Sequence, residues 1–323
     1  MTVSSGLTRV PGVLLGHASM GDTGVSAVVA RETAGMLAAV DVRGGGPGTR
    51  ETDLLAPHNT VQRVHAIILA GGSAFGLAAA DGAMSELERR GRGFPVFGEN
   101  APGPRVPIVP AAVIFDLVVG SPGHRPTAAD GAAAVAAAFA GQNAEQEPAS
   151  GSVGAGCGAT AGVLRGGFGQ AARDVCGHVV AAGVVANPVG SVVDPETGLL
   201  YGDGARPAVN LAEFARLDYP KPQLNTTIGV VATDAPLPLA QLQRLAMAGH
   251  DGIARAVRPA HLPLDGDTLF AVSTAGEVGA GVGVEKLAAL SAAAAEAVEA
   301  AIVDAVVSAR PGYGVPTWSE LTH

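Results

Sequence analysis

The apolar residues of this chain arrive in short, nearly unbroken runs rather than in alternation. TGVSAVVA (23–30), GMLAAVDVRG (35–44), HAIILAGG (65–72), TTIGVVAT (226–233) and DTLFAVST (267–274) are the clearest. A strand that is apolar on both faces must be covered on both, so these runs predict buried sheets rather than an open one. AAVIFDLVVG (111–120) predicts another strand, and HVVAAGVVANPVGSVV (178–193) two or more. Helical patterns separate the runs. The first predicted helix covers about 73–90, with Leu77, Met84 and Leu87 on one face and Glu86, Glu88 and Arg89 off it. An Ala-rich helix follows at 126–140. A helix at about 239–257 carries Leu239, Leu242, Leu245 and Gly249 on one face. The last, at about 284–308, carries Leu287, Leu290, Ala294, Val298 and Ile302. Polar or Pro-containing stretches at 141–152 and 215–225 read as loops. The class is mixed α/β. A compositional boundary falls near residue 225, where one shared core and two domains are both open readings.

With 48% hydrophobic residues but only eight Phe, three Tyr and one Trp, the core must be built from Ala, Val, Leu and Ile. Charged residues make up 15% of the chain, below the usual ~25%, which excludes a disordered polyelectrolyte. A net charge of −9 without a Lys/Arg run gives no nucleic-acid surface. Two cysteines, Cys157 and Cys176, exclude a disulfide scaffold and a four-thiolate zinc site, and the eight histidines show no metal-ligand spacing. No basic start with an apolar run opens the chain, and Glu296, Glu299 and Asp304 interrupt its most apolar C-terminal stretch. The expectation is a soluble cytoplasmic protein with no metal, cofactor, membrane or nucleic-acid partner.

Several familiar motifs fail on inspection. GAGCGA (154–159) follows polar residues and opens no clear helix, so it makes a poor dinucleotide fingerprint. GGSAFG (71–76) has Phe75 where a nucleophile elbow needs glycine, and Ser73 is expected as a helix N-cap. GGGPGT (44–49) lacks the Lys of a phosphate loop.

The informative segment is Asn225-Thr226-Thr227, where a Pro-rich loop delivers a hydroxyl residue to the first position of an apolar strand. One reading is a plain strand start, since Thr favours strands. The other is self-processing: Thr226 attacks the carbonyl of Asn225, the amide becomes an ester, and water releases a new N-terminus. Thr226 would then hold a hydroxyl nucleophile beside its own α-amine, whose free pKa near ~8 suits a general base. Asp265 and Asp267 stand directly before the run TLFAVST; if that strand already includes them, their carboxylates, two residues apart, share one face. They read either as a Gly turn with solvated carboxylates or as a pair that orients Thr226. Asn187, at the end of an apolar run, could terminate a strand or donate to an oxyanion.

VRGGGPGTRETDLL (42–55), ILAGGSAFGLAAADG (68–82), VPIVPAAVIFDL (106–117), GSVGAGCGATAG (151–162) and NTTIGVV (225–231) occur in an order that resembles the self-cleaving L-aminopeptidase/D-esterase family. That family includes β-peptidyl aminopeptidases and nylon-oligomer hydrolases, and the likeness runs from about Leu7 to the C-terminus. It implies a four-layer α/β/β/α sandwich, similar to the Ntn hydrolases in architecture but different in connectivity. It also implies one sandwich domain cut into chains 1–225 and 226–323 that stay associated and assemble into homo-oligomers. Carried over, Thr226 matches the nucleophile, Asn187 the oxyanion-side amide, and Asp265 and Asp267 the two acidic or hydroxyl positions. The Asn-Thr junction and the Asp pair look closest to the nylon-oligomer hydrolases. A basic side chain of the family site matches Arg165 by local motif, whereas counting from Asn187 points to Cys157. Phe115 stands where some members carry Tyr.

The resemblance implies an amidohydrolase that acts on short peptides or small amides through an acyl-Thr226 ester, without a cofactor. Two other classes stay open. One is an acyltransferase of the ornithine acetyltransferase type, whose junction usually has Ala before Thr. The other is an uncleaved binding or scaffold protein.

Overall fold

A computed structural model of the chain describes residues 6–141, 149–218, 224–276 and 279–322. Two sheets form the centre. The five-stranded sheet runs, in spatial order, Val13–Ser19, Gly24–Ala30, Ala66–Ala70, Ala111–Val113 and Thr49–Arg50. The six-stranded sheet runs Gly167–Val175, His178–Ala186, Ile228–Thr233, Thr268–Ser273, Met36–Val42 and Arg63–Val64. Helices Ala79–Arg89 and Ala128–Ala140 pack on the first sheet; Leu239–Ala256 and Val284–Val307 pack on the second. The layers are therefore α/β/β/α, as the resemblance implies.

Three apolar clusters fill the three interfaces. Between the sheets lie Leu15, Val28, Ile67 and Leu69 from one side, and Phe168, Ile228, Val230 and Phe270 from the other. Under the outer helices of the second sheet, Val184, Val231, Leu269, Leu242, Leu245, Val298 and Ile302 close a second core. Ala79, Ala83, Leu87, Ala134 and Ala138 close the third against Ile68 and Val29. Each central strand thus buries both faces, which is why its sequence is apolar throughout. Residues on both sides of position 225 contribute to the first two clusters.

Glycine makes the layers close enough to touch. A Cβ at Gly82 would lie 1.6 Å from the Ala128 carbonyl oxygen, and one at Gly131 would lie 1.8 Å from that of Ala79. The two outer helices therefore cross backbone to backbone, a contact that no larger residue allows.

The observed elements depart from the expected ones in particular places. The stretch 111–120 is a strand for only Ala111–Val113. Beyond it the backbone leaves the ladder: the Ile114 carbonyl accepts from Ser73 N at 2.9 Å, and the Asp116 carboxylate takes Gly72 N at 2.6 Å. The first helix is split into a 3-10 segment, Ser73–Ala78, and an α-helix, Ala79–Arg89. Ser73 is not an N-cap; it has φ +54 and makes no capping hydrogen bond. Glu86 is buried rather than solvent-facing, because Arg89 and Arg90 both close on its carboxylate. Leu287 is only partly buried, while Leu290, Ala294, Val298 and Ile302 form the buried face as expected. The strand Val13–Ser19 is an addition that its Gly16 and His17 had disguised. The loops read at 141–152 and 215–225 lie partly outside the described residues. No described helix is long and apolar enough to cross a membrane.

Gly131→Ala should lower stability by about 1–3 kcal/mol, the usual cost of overpacking a close contact. Urea unfolding should show a lower midpoint with an unchanged slope. A midpoint equal to that of the unsubstituted chain would mean that the two helices are not held at this distance.

Candidate active site

Register alone brings the candidate residues together. Ile228–Thr233 runs parallel to Thr268–Ser273 with Ile228 opposite Thr268, and Asn225 bridges Asp265 in the same direction. On the other side it runs antiparallel to His178–Ala186, with Ile228 opposite Val185. Continuing both ladders past the strand start places Thr226 between Asn187 and Gly266, and Thr227 beside Asp267.

The hydrogen bonds follow that layout. Thr226 N donates to the Asn187 carbonyl at 2.7 Å, and Thr227 N donates to Asp267 Oδ1 at 2.8 Å. The Thr226 hydroxyl is turned back onto the carbonyl of Asn225. Asn225 is itself clamped, its Nδ2 donating to the Pro188 carbonyl at 2.9 Å. A Cβ at Gly266 would come within 2.8 Å of Thr226 Oγ1, so only glycine lets the 265–267 segment pass against the hydroxyl. The Gly44–Gly46 loop packs on that segment, with Gly46 N donating to the Asp265 carbonyl at 2.8 Å. The GGGPG stretch, rejected as a phosphate loop, is a wall of this site.

Asn187 is fully buried. Its Oδ1 accepts from Thr160 N at 2.8 Å, and its Nδ2 donates to the Phe115 carbonyl at 3.1 Å. It is the Asn187 carbonyl, rather than its amide group, that meets Thr226. Asp265 and Asp267 are each 1% exposed, which corrects the reading of solvated carboxylates. Asp265 accepts from Val189 N at 3.0 Å and Leu262 N at 3.2 Å. Neither aspartate bonds Thr226 itself; they hold the backbone on either side of it. Burial, followed by the charge of Asp267, raises the pKa of Asp265 to about 6.

Arg165 is buried, donates to the Cys157 carbonyl, and faces the Tyr313 ring at 5.6 Å. Cys157 is buried with its thiol near the Ser152 carbonyl. Neither residue borders the cavity of about 280 Å3 that opens on the junction. That cavity is lined by Gly48, Ser73, Val113, Phe115, Leu264 and Thr226 among others, and every described lining residue is uncharged. No described cluster of His, Cys, Asp or Glu could hold a metal ion.

Residues 5–317 match the sequence model of peptidase family S58. The chain belongs to that family. It is 48% identical to an uncharacterized aminopeptidase of Mycobacterium leprae (strain TN), over 97% of this chain and 92% of that protein. It is 33% identical to a 6-aminohexanoate-oligomer endohydrolase of Kocuria sp. (strain KY2), over 82% of this chain and 73% of that one. A Burkholderia sp. beta-aminopeptidase shares the fold at a TM-score of 0.70 and 25% identity, over 96% of this chain and 89% of that one. The L-aminopeptidase D-Ala-esterase/amidase of Ochrobactrum anthropi, at TM-score 0.74 and 22% identity over 96% and 89% of the two chains, agrees in fold. This S58 member is a hydrolase of peptide or amide bonds.

Sequence reasoning missed His261, whose Nδ1 lies 2.7 Å from Asp267 Oδ2. It sits in a Pro-containing loop with no periodicity to mark it.

The raised pKa of Asp265 has a signed consequence. In the unfolded chain an aspartate ionises near pH ~4, whereas in the native site this one ionises near about 6. Between those values the native state keeps a proton that the unfolded state has lost, so this group's contribution to stability falls as pH rises. The thermal midpoint of the unsubstituted protein minus that of Asp265→Asn should therefore decline from about pH 4 to about pH 6 and level off outside that window. A difference independent of pH would contradict the assignment.

Proposed function

We propose that this S58 hydrolase is a self-cleaving N-terminal-nucleophile aminopeptidase or amidase with Thr226 as its nucleophile. The observation that carries the reading is the Thr226 hydroxyl turned onto the Asn225 carbonyl two residues before the central strand Ile228–Thr233 begins. In self-cleavage, Thr226 Oγ bonds to the Asn225 carbonyl carbon, the carbon–nitrogen bond breaks, and the hydroxyl proton goes to the departing nitrogen. Water then cleaves the ester, leaving the Asn225 carboxylate and a free Thr226 amine. Thr226 N already donates to the Asn187 carbonyl, which suits that atom to hold the new ammonium. Asp267, through Thr227 N, and Asp265, through Val189 N, keep the two sides of the junction in register.

Turnover repeats the chemistry on a substrate amide. The α-amine takes the hydroxyl proton as Oγ attacks, passes it to the leaving amine, and water releases the acyl group. The small, largely apolar cavity suits small acyl groups. Chains 1–225 and 226–323 would stay associated, because residues on both sides of the cut fill the same cores. Homo-oligomer assembly and a cytoplasmic setting belong to this reading as well; the free thiols of Cys157 and Cys176 suit a reducing compartment.

Thr226→Ala should abolish both cleavage and hydrolysis of amino-acid p-nitroanilides, while Thr226→Ser should still process and retain some turnover. In a time course of fresh protein, activity should rise in step with cleavage and never ahead of it. Uncleaved Thr226→Ala protein that hydrolyses the anilides at full rate would move the nucleophile elsewhere, with Ser73 on the cavity wall the next residue to substitute.

A further inference from the structure

Asp267 faces the junction with one oxygen and turns the other away from it. Oδ1 takes Thr227 N at 2.8 Å; Oδ2 takes both His261 N, at 3.2 Å, and His261 Nδ1, at 2.7 Å. A carboxylate can only accept, so His261 Nδ1 carries the proton in this pair. The far side of the imidazole meets His250, the two ring centroids lying 5.0 Å apart. His250 is fully buried, donates from Nε2 to the Asp41 carbonyl at 3.1 Å, and lies 3.6 Å from the Asp41 carboxylate. Asp41 is in turn held by Arg43 at 2.7 Å. Polar contacts thus link Thr227, Asp267 and His261, and separately His250 and Asp41. Between them the two imidazoles meet only ring to ring, with His261 Nε2 and His250 Nδ1 both without a hydrogen-bond partner among the described residues. Burial keeps His250 neutral, its pKa lowered to about 4.

His261 occupies a left-handed backbone conformation, φ +58, which non-glycine residues adopt rarely. That conformation brings its backbone N–H and its ring N–H to bear on the same carboxylate oxygen.

We propose that His261 is a positioning residue for the nucleophile, acting through Asp267. By fixing Oδ2 from two directions it holds Oδ1 on Thr227 N, and so fixes Thr226. The inference rests on Thr226 being the nucleophile, and it gains force once the junction is cut. In the intact chain, residue 226 is tethered covalently on both sides. Once residue 226 becomes an N-terminus, the tether through Asn225 is gone. Its place is then set by the Asn187 carbonyl on one side and by Asp267, through Thr227, on the other. A group that steadies Asp267 therefore affects turnover more than it affects the first cut.

Two substitutions separate positioning from packing. His261→Gly keeps the left-handed backbone but removes the ring donor. His261→Asn tolerates the same backbone and places an amide N–H near the position of Nδ1. His261→Gly should lower kcat on p-nitroanilides by at least about tenfold, the scale expected when a reacting group loses its alignment. KM should move by less than about twofold, and His261→Asn should recover most of the loss. Equal impairment in both variants would overturn the proposal in favour of ring packing, and full activity in both would overturn it outright.

A second readout does not depend on the nucleophile assignment. In uncleaved Thr226→Ala protein, hydrogen exchange at the Thr227 amide should accelerate at least about tenfold on adding His261→Gly and stay slow with His261→Asn. Should His261→Gly fail to fold, comparison of His261→Asn with the unsubstituted residue still decides: a Thr227 amide that loses protection with Asn in place would contradict the role of the Nδ1 donor. If Thr226 proved not to be the nucleophile, the exchange result would still report whether His261 fixes this segment.

Discussion

The parallel register between the Ile228 and Thr268 strands is the constraint on which the rest of the site depends. It sets Thr227 beside Asp267 and Thr226 against Gly266, while the antiparallel His178 strand sets Asn187 on the other flank. A shift of one residue in either ladder would turn every side chain to the opposite face. The junction would lose its contacts, and Val230, Phe270 and Val272 would leave the inter-sheet core. The strands whose two apolar faces fill two cores thus also align the Asn225–Thr227 segment. The geometry around Thr226 is a by-product of strand packing, sharpened by a few polar contacts at the strand ends.

Those polar contacts are costly to bury and are therefore closely paired. Asp265, Asp267 and Asn187 lie out of water, where an unmet polar group costs about 1–3 kcal/mol. Each meets backbone N–H or C=O groups of the loops around the junction. The same pairing makes the loops rigid without adding bulk. Glycines at 44, 45 and 266 let these loops approach one another, while Asp116 anchors the Gly72 turn that borders the cavity. The excess of glycine in the sequence is accounted for largely by such approaches, between helices as well as around the site.

Much of this architecture is legible in the residue order, and the parts that are not have physical reasons. The runs at 23–30, 35–44, 226–233 and 267–274 announce buried strands because both their faces are covered. The 111–120 run misleads: Val113, Ile114 and Phe115 line the cavity, the strand ends at Val113, and Phe115 gives its carbonyl to Asn187. Thr226, Asn187 and the Asp pair stand out because they flank apolar runs at strand ends, and the fold collects them at one end of three adjacent central strands. Arg165 and Cys157 follow the local motif, yet the short Leu164–Arg165 hairpin strand turns the guanidinium towards Cys157 and Tyr313 and away from the cavity lining. His261 is invisible to pattern because its partner is chosen by a loop turn and not by periodicity. The solvated aspartates expected from the Gly turn fail for a related reason, since spacing does not reveal which loop covers a strand start.

The most direct test of the central claim is the intact mass of freshly purified protein, followed by N-terminal sequencing. The account predicts two chains that together make up the 31.8 kDa polypeptide, the smaller beginning Thr-Thr-Ile-Gly at Thr226. A single uncut chain that persists at neutral pH while hydrolysing amides would contradict it.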